Sequence, residues 1–455
     1  MVSKKQERLQ LLEEQINRLR KRANILERLS TRYSWVRVAI FFGGIALSLI
    51  ALFIVGWQLG LALAVLTLLA FAIVAHYHGK IDRSIARHTL WSYIKTTHIA
   101  RIKLDWSNIP ATYASEPQAD HPYEFDLDIT GSRSLHQLLN VAVSREGALR
   151  LRDWLLNTTP DLSTIRERQA LVQELTPMTL FRDKLLLNSL LKSRRVVEQL
   201  EGKRLLNWLS QQAPSGSLRL LLWASAALNV LTALLFLASY LLANRLAIPQ
   251  LWIFSLLAAL LLLFTTADKR GDIFEDATYL SSGFGALSSI FAYLESYPYG
   301  KHQHLKKLCE PFFLDREHSP SNLLKGTARI ASAATLKRNG LLWLIVNAFI
   351  PWDIYCAYRL QQYKEQIAAR LPTWLDLWFE LEALNSLATF AYLNPEYVLP
   401  EISLCEEQTA QPPAFFRAQA LGHPLIPVEK KITNDFAMKE LGEVVIITGS
   451  NMSGK

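Results

Sequence analysis

Two pairs of long apolar segments constrain the fold of this chain more than any other feature. Residues 35–75 are apolar apart from Arg37, with a break at residues 56–60, and a second pair covers residues 218–243 and 248–266. Each member of a pair is close to the roughly twenty residues that a helix needs to cross a bilayer. Backbone groups in lipid must be satisfied within the chain, so such segments are helical. The sequence therefore predicts two transmembrane helical hairpins.

Basic residues flank both predicted hairpins. Lys80 and Arg83 follow the first hairpin, Arg219 opens the second and Lys269 follows it, whereas the first turn carries no charge. The positive-inside rule places these flanks, and with them the bulk of the protein, in the cytoplasm. The alternative interpretation is a buried helical hairpin inside a water-soluble core.

The composition agrees with membrane spans. Hydrophobic residues make up 50% of the chain and charged residues 20%, which is a high apolar share for a soluble protein. The net charge of +9 suits an anionic membrane surface or nucleic acid and does not choose between them. Cys309, Cys356 and Cys405 lie far apart, which argues against a disulfide framework or a zinc site and fits a reducing compartment.

The first thirty or so residues carry a heptad-like stripe. Apolar residues at alternating spacings of three and four, flanked by charges, are typical of a coiled coil, which could support dimerisation. The alternative is an amphipathic helix that lies on the protein's own body or on the membrane surface. The stripe consists of Leu9, Leu12, Ile16, Leu19, Ala23 and Leu26.

The last fifteen residues predict a nucleotide site. Residues 444–447 are a β-branched apolar run, typical of a strand buried on both faces, and a GxxxxGK loop follows directly. The glycines let backbone N–H groups surround phosphate oxygens, and Lys455 would reach the β- and γ-phosphates of ATP. A structural glycine turn is the alternative. The loop comprises Gly449, Ser450, Asn451, Met452, Ser453, Gly454 and Lys455.

The Mg²⁺-binding hydroxyl of such a loop would come directly after Lys455. We expect it, and the acidic residues that hold metal and polarise water, beyond the 455 residues. These residues contain no candidate catalytic group and no metal-ligand set. They are not expected to form a competent enzyme by themselves.

Most of the remaining chain shows helical periodicity. Residues 340–350 are an apolar run too short to span a bilayer, which predicts a core helix or an interfacial segment. On a predicted helix over residues 375–392, Asp376, Glu380 and Glu382 stand at helical spacing. We interpret these carboxylates as a solvated face, because no histidine or metal-ligand partner lies nearby in the sequence.

Several of these elements resemble the MutS family of DNA mismatch-repair ATPases. Near the loop, the similar residues are Asn451 and Met452, the HPLI segment at 423–426, and the pair Asn434 and Asp435. Ser450 stands where the family usually has proline, and Leu149 stands where it has arginine. Similar core residues are Ser134, Leu135, Leu138, Leu139, Asn140, Gly147, Leu151, Arg152, Trp154, Leu155, Pro160, Ile165, Arg168, Gln169, Val172 and Leu175.

The resemblance implies a homodimeric ABC-type ATPase of a membrane-anchored bacterial branch, located in the inner (plasma) membrane. ATP and Mg²⁺ would be its cofactors, and Asn434 would join the loop residues at the nucleotide. Nucleotide binding would move long helical levers. Two departures bear on DNA, the family's ligand: no mismatch-reading domain precedes residue 125, and the lever region holds the second hairpin.

The predicted architecture is mainly α: a helical MutS-like core and lever domain with two transmembrane hairpins, followed by the first strand and P-loop of a truncated α/β ABC-type ATPase domain. An ABC-type transporter half and a membrane scaffold without catalytic activity remain alternatives. The predicted units are an amphipathic or coiled-coil helix (1–34), hairpin 1 (35–78), cytoplasmic core helices (79–217), hairpin 2 (218–267), lever and core helices (268–420) and the start of the ATPase domain (421–455).

Overall fold

The structure, a computed structural model, is mainly helical, as predicted. It describes residues 4–111, 120–193, 202–210, 218–242, 250–266, 277–315, 317–402, 415–440 and 442–446. The helices are α1 (Lys4–Ile54), α2 (Trp57–Lys103), α3 (Leu135–Leu139), α4 (Arg145–Leu155), α5 (Leu162–Leu175), α6 (Thr179–Ser193), α7 (Gly202–Ser210), α8 (Leu218–Leu242), α9 (Leu251–Thr265), α10 (Ala277–Ser296), α11 (Gln303–Cys309), α12 (Pro320–Ala334), α13 (Gly340–Phe349), α14 (Trp352–Ala368) and α15 (Leu371–Leu393).

Helices α1 and α2 form one long antiparallel hairpin, which we call the stalk. They contain 51 and 47 residues, so each is roughly 70 to 77 Å long. The turn between them is at Gly56, whose φ of 133° favours glycine. The N-terminal charged stretch and the first apolar segment are one continuous helix, because the change from polar to apolar side chains at residue 34 brings no helix-breaking residue.

Among the residues that the structure describes, three helices, α1, α2 and α8, are long and apolar enough to cross a membrane. Only 6% of the most apolar stretch of α1, and 6% of that of α2, is buried within the chain. Phe42 and Phe53 are among the exposed side chains. An apolar surface of this extent marks a membrane or an interface. The apolar part of the stalk is therefore not the interior of a water-soluble core of this chain.

The second apolar hairpin consists of α8 and α9. Helix α8 has 25 residues, whereas α9 has 15 and ends at Thr265, with Thr266 as its C-cap. Fifteen residues span about 22 Å, less than the roughly 30 Å of a hydrocarbon core. The described part of the second predicted helix of this pair is thus shorter than the prediction, and residues 243–249 between the two helices lie outside the described ranges.

The apolar stripe of the N-terminal stretch packs within the chain. Leu12 is fully buried and forms a cluster with Ile102 of α2 and Leu393 of α15. Ile16 and Leu26 on the same stripe are also buried. The packing of the stripe therefore agrees with the alternative interpretation, an amphipathic helix that lies on the protein's own body.

The largest hydrophobic core surrounds α15. Trp378 of α15 and Phe284 and Phe291 of α10 are fully buried in one cluster, to which α5, α6, α12 and α14 also contribute. Pro372 stands in the first turn of α15, where its missing N–H costs no helical hydrogen bond. Helix α15 is therefore the element against which both the other core helices and the base of the stalk pack.

The chain after α15 contains an antiparallel pair of strands, β1 (Phe416–Leu421) and β2 (Asn434–Met438). The prediction of a strand at residues 444–447 is wrong for the part that the structure describes. Residues 442–446 form no strand, and Val444 and Ile446 are 81% and 80% exposed. A strand buried on both faces needs neighbouring strands and covering layers, and among the described residues none lies beside this run.

Candidate functional site: the junction of the stalk, α15 and the strand pair

The predicted nucleotide loop, residues 449–455, lies outside the described ranges. Asn434, the remaining predicted nucleotide residue, is the first residue of β2, is exposed and pairs in register with Leu421. Its neighbour Asp435 accepts a hydrogen bond from the backbone N–H of Ala420 at 2.8 Å. That bond fills the irregularity in the strand pair between Ala418 and Leu421. In this region the structure therefore describes the segment that leads towards the loop.

The HPLI segment between β1 and β2 docks on the core through Leu425. Its side chain packs against a cluster that contains Ala100 of α2 and Leu138 of α3, and Phe390 of α15 packs against the same cluster. The backbone N–H of Leu425 donates to Nδ1 of His423 at 3.3 Å, which shapes the turn. One apolar side chain of the segment therefore packs against the same small cluster as the end of α15, and this cluster includes the end of the stalk.

A polar contact lies beside this apolar one. Lys431 Nζ donates to the hydroxyl of Tyr397 at 2.6 Å and lies 5.3 Å from the centre of the Tyr397 ring. A Cβ at Gly422 would approach Lys431 Cδ to 2.9 Å, so the lysine stem passes close to the backbone of this turn. The connection between β1 and β2 thus contacts the segment that follows α15.

The first turn of α1 reaches the same place. Lys5 Nζ donates to Oδ1 of Asn394 at 3.1 Å, and Asn394 caps α15 through its backbone N–H and its side-chain amide. Burial lowers the pKa of Lys5, and the nearby charge of Lys431 acts in the same direction. We call Lys5, Asn394, Tyr397, Leu425 and Lys431 the junction.

Buried polar contacts fix the base of the stalk to the core. Lys95 of α2 and Asp183 of α6 form an ion pair at 2.5 Å, with both side chains less than 10% exposed. Trp91 Nε1 also donates to Asp183, at 3.2 Å. Arg101 of α2 donates to the carbonyl oxygens of Leu138 and Asn140, which close the C-terminal end of α3. Burial lowers the pKa of Arg101 to about 10, so the group remains a cation at neutral pH.

His98 lies among these cations and is itself buried. Its pKa is well below the usual value because of burial first and the charges of Lys95, Arg101 and Arg182 next. The imidazole is therefore neutral at pH 7. A neutral ring avoids placing a further positive charge at the base of the stalk.

Glu382 is not part of a solvated face, and that prediction is wrong for this residue. Its carboxylate is 4% exposed and accepts hydrogen bonds from the backbone N–H groups of Val143 and Ser144, each at 3.2 Å, and from the Ser144 hydroxyl. A Cβ at Gly147 would lie 2.5 Å from Glu382 Oε2. Burial raises the pKa of Glu382 to about 7, although the hydrogen bonds from Ser144 and Val143 act against that rise.

Glu382 therefore attaches α15 to the N-terminal end of α4. Sequence reasoning missed this role because the donors lie 238 and 239 residues away along the chain. Of the other two carboxylates, Asp376 is exposed and pairs with Arg150, and Glu380 is half-buried.

The residues of the helical stretch that carry the family resemblance also pack around α15. Arg168 of α5 lies 4.0 Å above the ring of Trp154 of α4, and Gln169 donates to the carbonyl oxygen of Pro400 at 2.8 Å. Leu139 and Leu151 form a cluster with Ala383 of α15. These residues connect α3, α4 and α5 to the central helix and to the segment that follows it.

No group of histidine, cysteine and acidic residues with metal-binding geometry occurs in the described ranges. Comparisons with known protein families, with curated proteins and with solved structures found no match to this chain. The junction and the buried contacts at the stalk base are therefore interpreted from their own chemistry.

Proposed function

We propose that this chain is the membrane-bound part of a MutS-like P-loop ATPase, in which ATP and Mg²⁺ bind at the loop of residues 449–455. The observation that carries the proposal is the GSNMSGK loop in combination with the upstream HPLI and ND elements. A glycine loop after an apolar run provides backbone N–H groups and one lysine for a triphosphate. The loop itself lies outside the described residues.

The junction supports a route from nucleotide to membrane. The HPLI segment that precedes the loop packs through Leu425 against a cluster with Ala100 of α2 and Leu138 of α3, and Lys431 contacts Tyr397. The stalk begins at the same place, through Lys5. A change in the loop region on nucleotide binding would therefore act directly on the base of a helix pair that extends into the membrane. This is the lever motion that the proposal assigns to the stalk.

The rest of the proposal follows the family likeness and the charge pattern. The stalk and the second hairpin would anchor the chain in the bacterial inner membrane, with the core in the cytoplasm, because basic residues flank both hairpins. Two copies would form the ATPase. DNA enters the proposal through the family likeness, and the net charge of +9 is compatible with it.

Equilibrium binding of a labelled ATP analogue tests the nucleotide site. The full-length natural protein, purified in detergent with Mg²⁺, is expected to bind ATP. Lys455→Ala should weaken binding about tenfold or more, because a charge-assisted contact to phosphate is lost. Lys430→Ala, at an exposed position of the loop between β1 and β2, is the matched control and should bind as the parent does. Equal affinity of the parent and Lys455→Ala would contradict the proposal.

The DNA part has its own test. Binding of the full-length protein to homoduplex, mismatched and branched DNA is measured over a series of salt concentrations. Phosphate contacts predict an affinity that falls steeply with salt. Absence of binding to all three DNAs would remove DNA from the proposal and leave the ATPase in place.

A further inference from the structure

Helix α13 shows the reverse of the usual pattern for a surface helix. Its ten residues, GLLWLIVNAF, carry no charge, and its buried side chain is the polar Asn347. A helix on the surface of a soluble domain exposes its polar face and buries its apolar face. Here the apolar side chains point away from the protein. Those exposed on α13 or directly after it are Leu341, Leu342, Leu344, Ile345, Phe349 and Ile350.

The polar groups of α13 are satisfied on the protein side. Trp343 Nε1 donates to Oδ2 of Asp353 at 2.8 Å, and Oδ1 of Asn347 accepts from the backbone N–H of Asp353 at 3.1 Å. Asn339 caps the first turn by accepting from the N–H of Leu342 at 3.3 Å. These bonds fix α13 to the start of α14. Its outward apolar face is consequently a fixed surface of the folded chain.

The second apolar hairpin reaches the protein at this same place. The rings of Trp343 and Phe264 lie 6.1 Å apart, and Phe264 belongs to the last turn of α9. Beyond that turn the chain continues into α10, a helix of the main core. The two helices α13 and α14 meet at an angle of 87°, and α14 contributes to the core around α15. Helix α13 therefore stands at the level where the apolar hairpin meets the core.

We propose that α13 lies in the interface of the lipid bilayer on the core side, with its exposed apolar face among the acyl chains. The apolar surface of α8 and α9 continues onto α13, which argues that one lipid phase covers both. Ten residues are about 15 Å long and cannot cross a hydrocarbon core of roughly 30 Å.

This placement gives the second hairpin a third membrane element. Helix α8 is long enough to cross, α9 is short, and α13 would lie flat beside the end of α9. An interfacial helix buries its apolar face about 5–10 Å below the headgroups. It would set the distance between the core and the membrane, whether or not the chain binds nucleotide. The inference is thus independent of the proposed ATPase.

Fluorescence in nanodiscs tests the contact. An environment-sensitive dye is attached to a cysteine introduced as Phe349→Cys in the full-length natural protein, and to Gln366→Cys at an exposed position near the other end of α14. The parent protein treated with the same dye gives the background of its own cysteines. We expect a blue-shifted emission at 349, with most of it quenched by lipids that carry a doxyl group near the headgroup. Emission at 366 should be unshifted and unquenched.

The depth along the helix is a second readout. A dye at Leu341→Cys should be quenched to the same extent as at 349 by the same shallow doxyl lipid, because the helix lies flat. Emission at 349 like that at 366 would overturn the proposal. A blue shift without lipid quenching that disappears on dilution would also overturn it, since a second copy of the chain would then cover this face.

Discussion

The two apolar hairpins of this chain join its core in different ways. Helices α1 and α2 of the stalk continue from their apolar parts into the core without a break, and buried polar contacts such as Lys95 with Asp183 fix them there. Helix α9 ends beside the apolar helix α13, where Phe264 packs next to Trp343. The first hairpin is therefore continuous with the core and fixed to it by buried polar contacts. The second meets the core through a contact at its surface.

The largest effect is expected at the base of the stalk. Asp183→Asn would leave Lys95 buried without its counter-charge and weaken the acceptor of Trp91. Loss of one partner of a buried pair costs about 3–5 kcal/mol. The measurement is the free energy of unfolding by denaturant in detergent.

The matched control is Asp376→Asn, which removes a carboxylate from the exposed pair with Arg150. Exposed pairs contribute at most about 1 kcal/mol. Similar losses for the two variants would contradict the view that the base of the stalk is fixed by buried contacts.

A smaller loss of stability is expected in the apolar part of the stalk, where its two helices pack against each other. A Cβ at Gly44 of α1 would overlap the side chain of Thr67 of α2, whereas a Cβ at Gly43 meets nothing within 4 Å. Gly44→Ala should therefore destabilise the hairpin by about 1–3 kcal/mol, as an overpacked contact does. Gly43→Ala is the control. Thermal unfolding in nanodiscs that lowers the midpoint equally in both variants would show that the helices do not pack as described.

The free energy of unfolding is expected to depend on pH through α15, against which the stalk packs. The pKa of Glu382 is raised from the usual 4.5 to about 7, so between these values the folded state binds the proton more tightly than the unfolded chain. The stability that protonated Glu382 contributes to the folded state is fully present below about pH 4.5 and is lost as the pH rises through 7. The slope is at most about 1.4 kcal/mol per pH unit.

Glu382→Gln removes the titration and should flatten this slope, measured as the free energy of unfolding at several pH values between 4.5 and 7.5. Glu365→Gln, at an exposed position of α14, should keep the slope of the parent. An unchanged slope in Glu382→Gln would assign the pH dependence to other groups.

The smallest effect is expected at the junction. Tyr397→Phe removes the hydroxyl that accepts from Lys431 at 2.6 Å. One hydrogen bond contributes a net free energy of about 0.5–1.5 kcal/mol, so its loss should make local hydrogen exchange about two- to tenfold faster. The readout is exchange of the backbone amides of His423, Leu425 and Ile426. Tyr355→Phe on α14 is the control, and equal exchange in both variants would show that the contact does not hold the HPLI segment.

Hydropathy alone predicted the most regular parts of the fold. The apolar segments and the helical core follow from local composition, because each depends on residues close together in sequence. The continuity of α1 across residue 34 did not follow, since side-chain polarity changes there while the backbone remains helical. Sequence periodicity also left open whether the stripe around Leu12 packs within the chain.

Contacts between distant residues could not be predicted from the sequence. Glu382 looks like a charged position on an amphipathic helix until Ser144, far away in the chain, is placed beside it. The junction joins Lys5 to Asn394, which are 389 positions apart. The apolar run at 444–446 illustrates the opposite limit, because β-branched residues predict a strand only where a neighbouring strand is present. The nucleotide loop, residues 449–455, stays a prediction.

The central claim is that nucleotide at the loop moves the stalk, and a distance measurement tests it most directly. Spin labels are placed at Ala86 on α2 and at Lys430 in the loop between β1 and β2, both exposed, in the full-length natural protein in nanodiscs. We predict that ATP and Mg²⁺ shift the distance distribution, and that the same labels on Lys455→Ala show no shift. An unchanged distribution in the parent protein with ATP bound at saturation would contradict the claim.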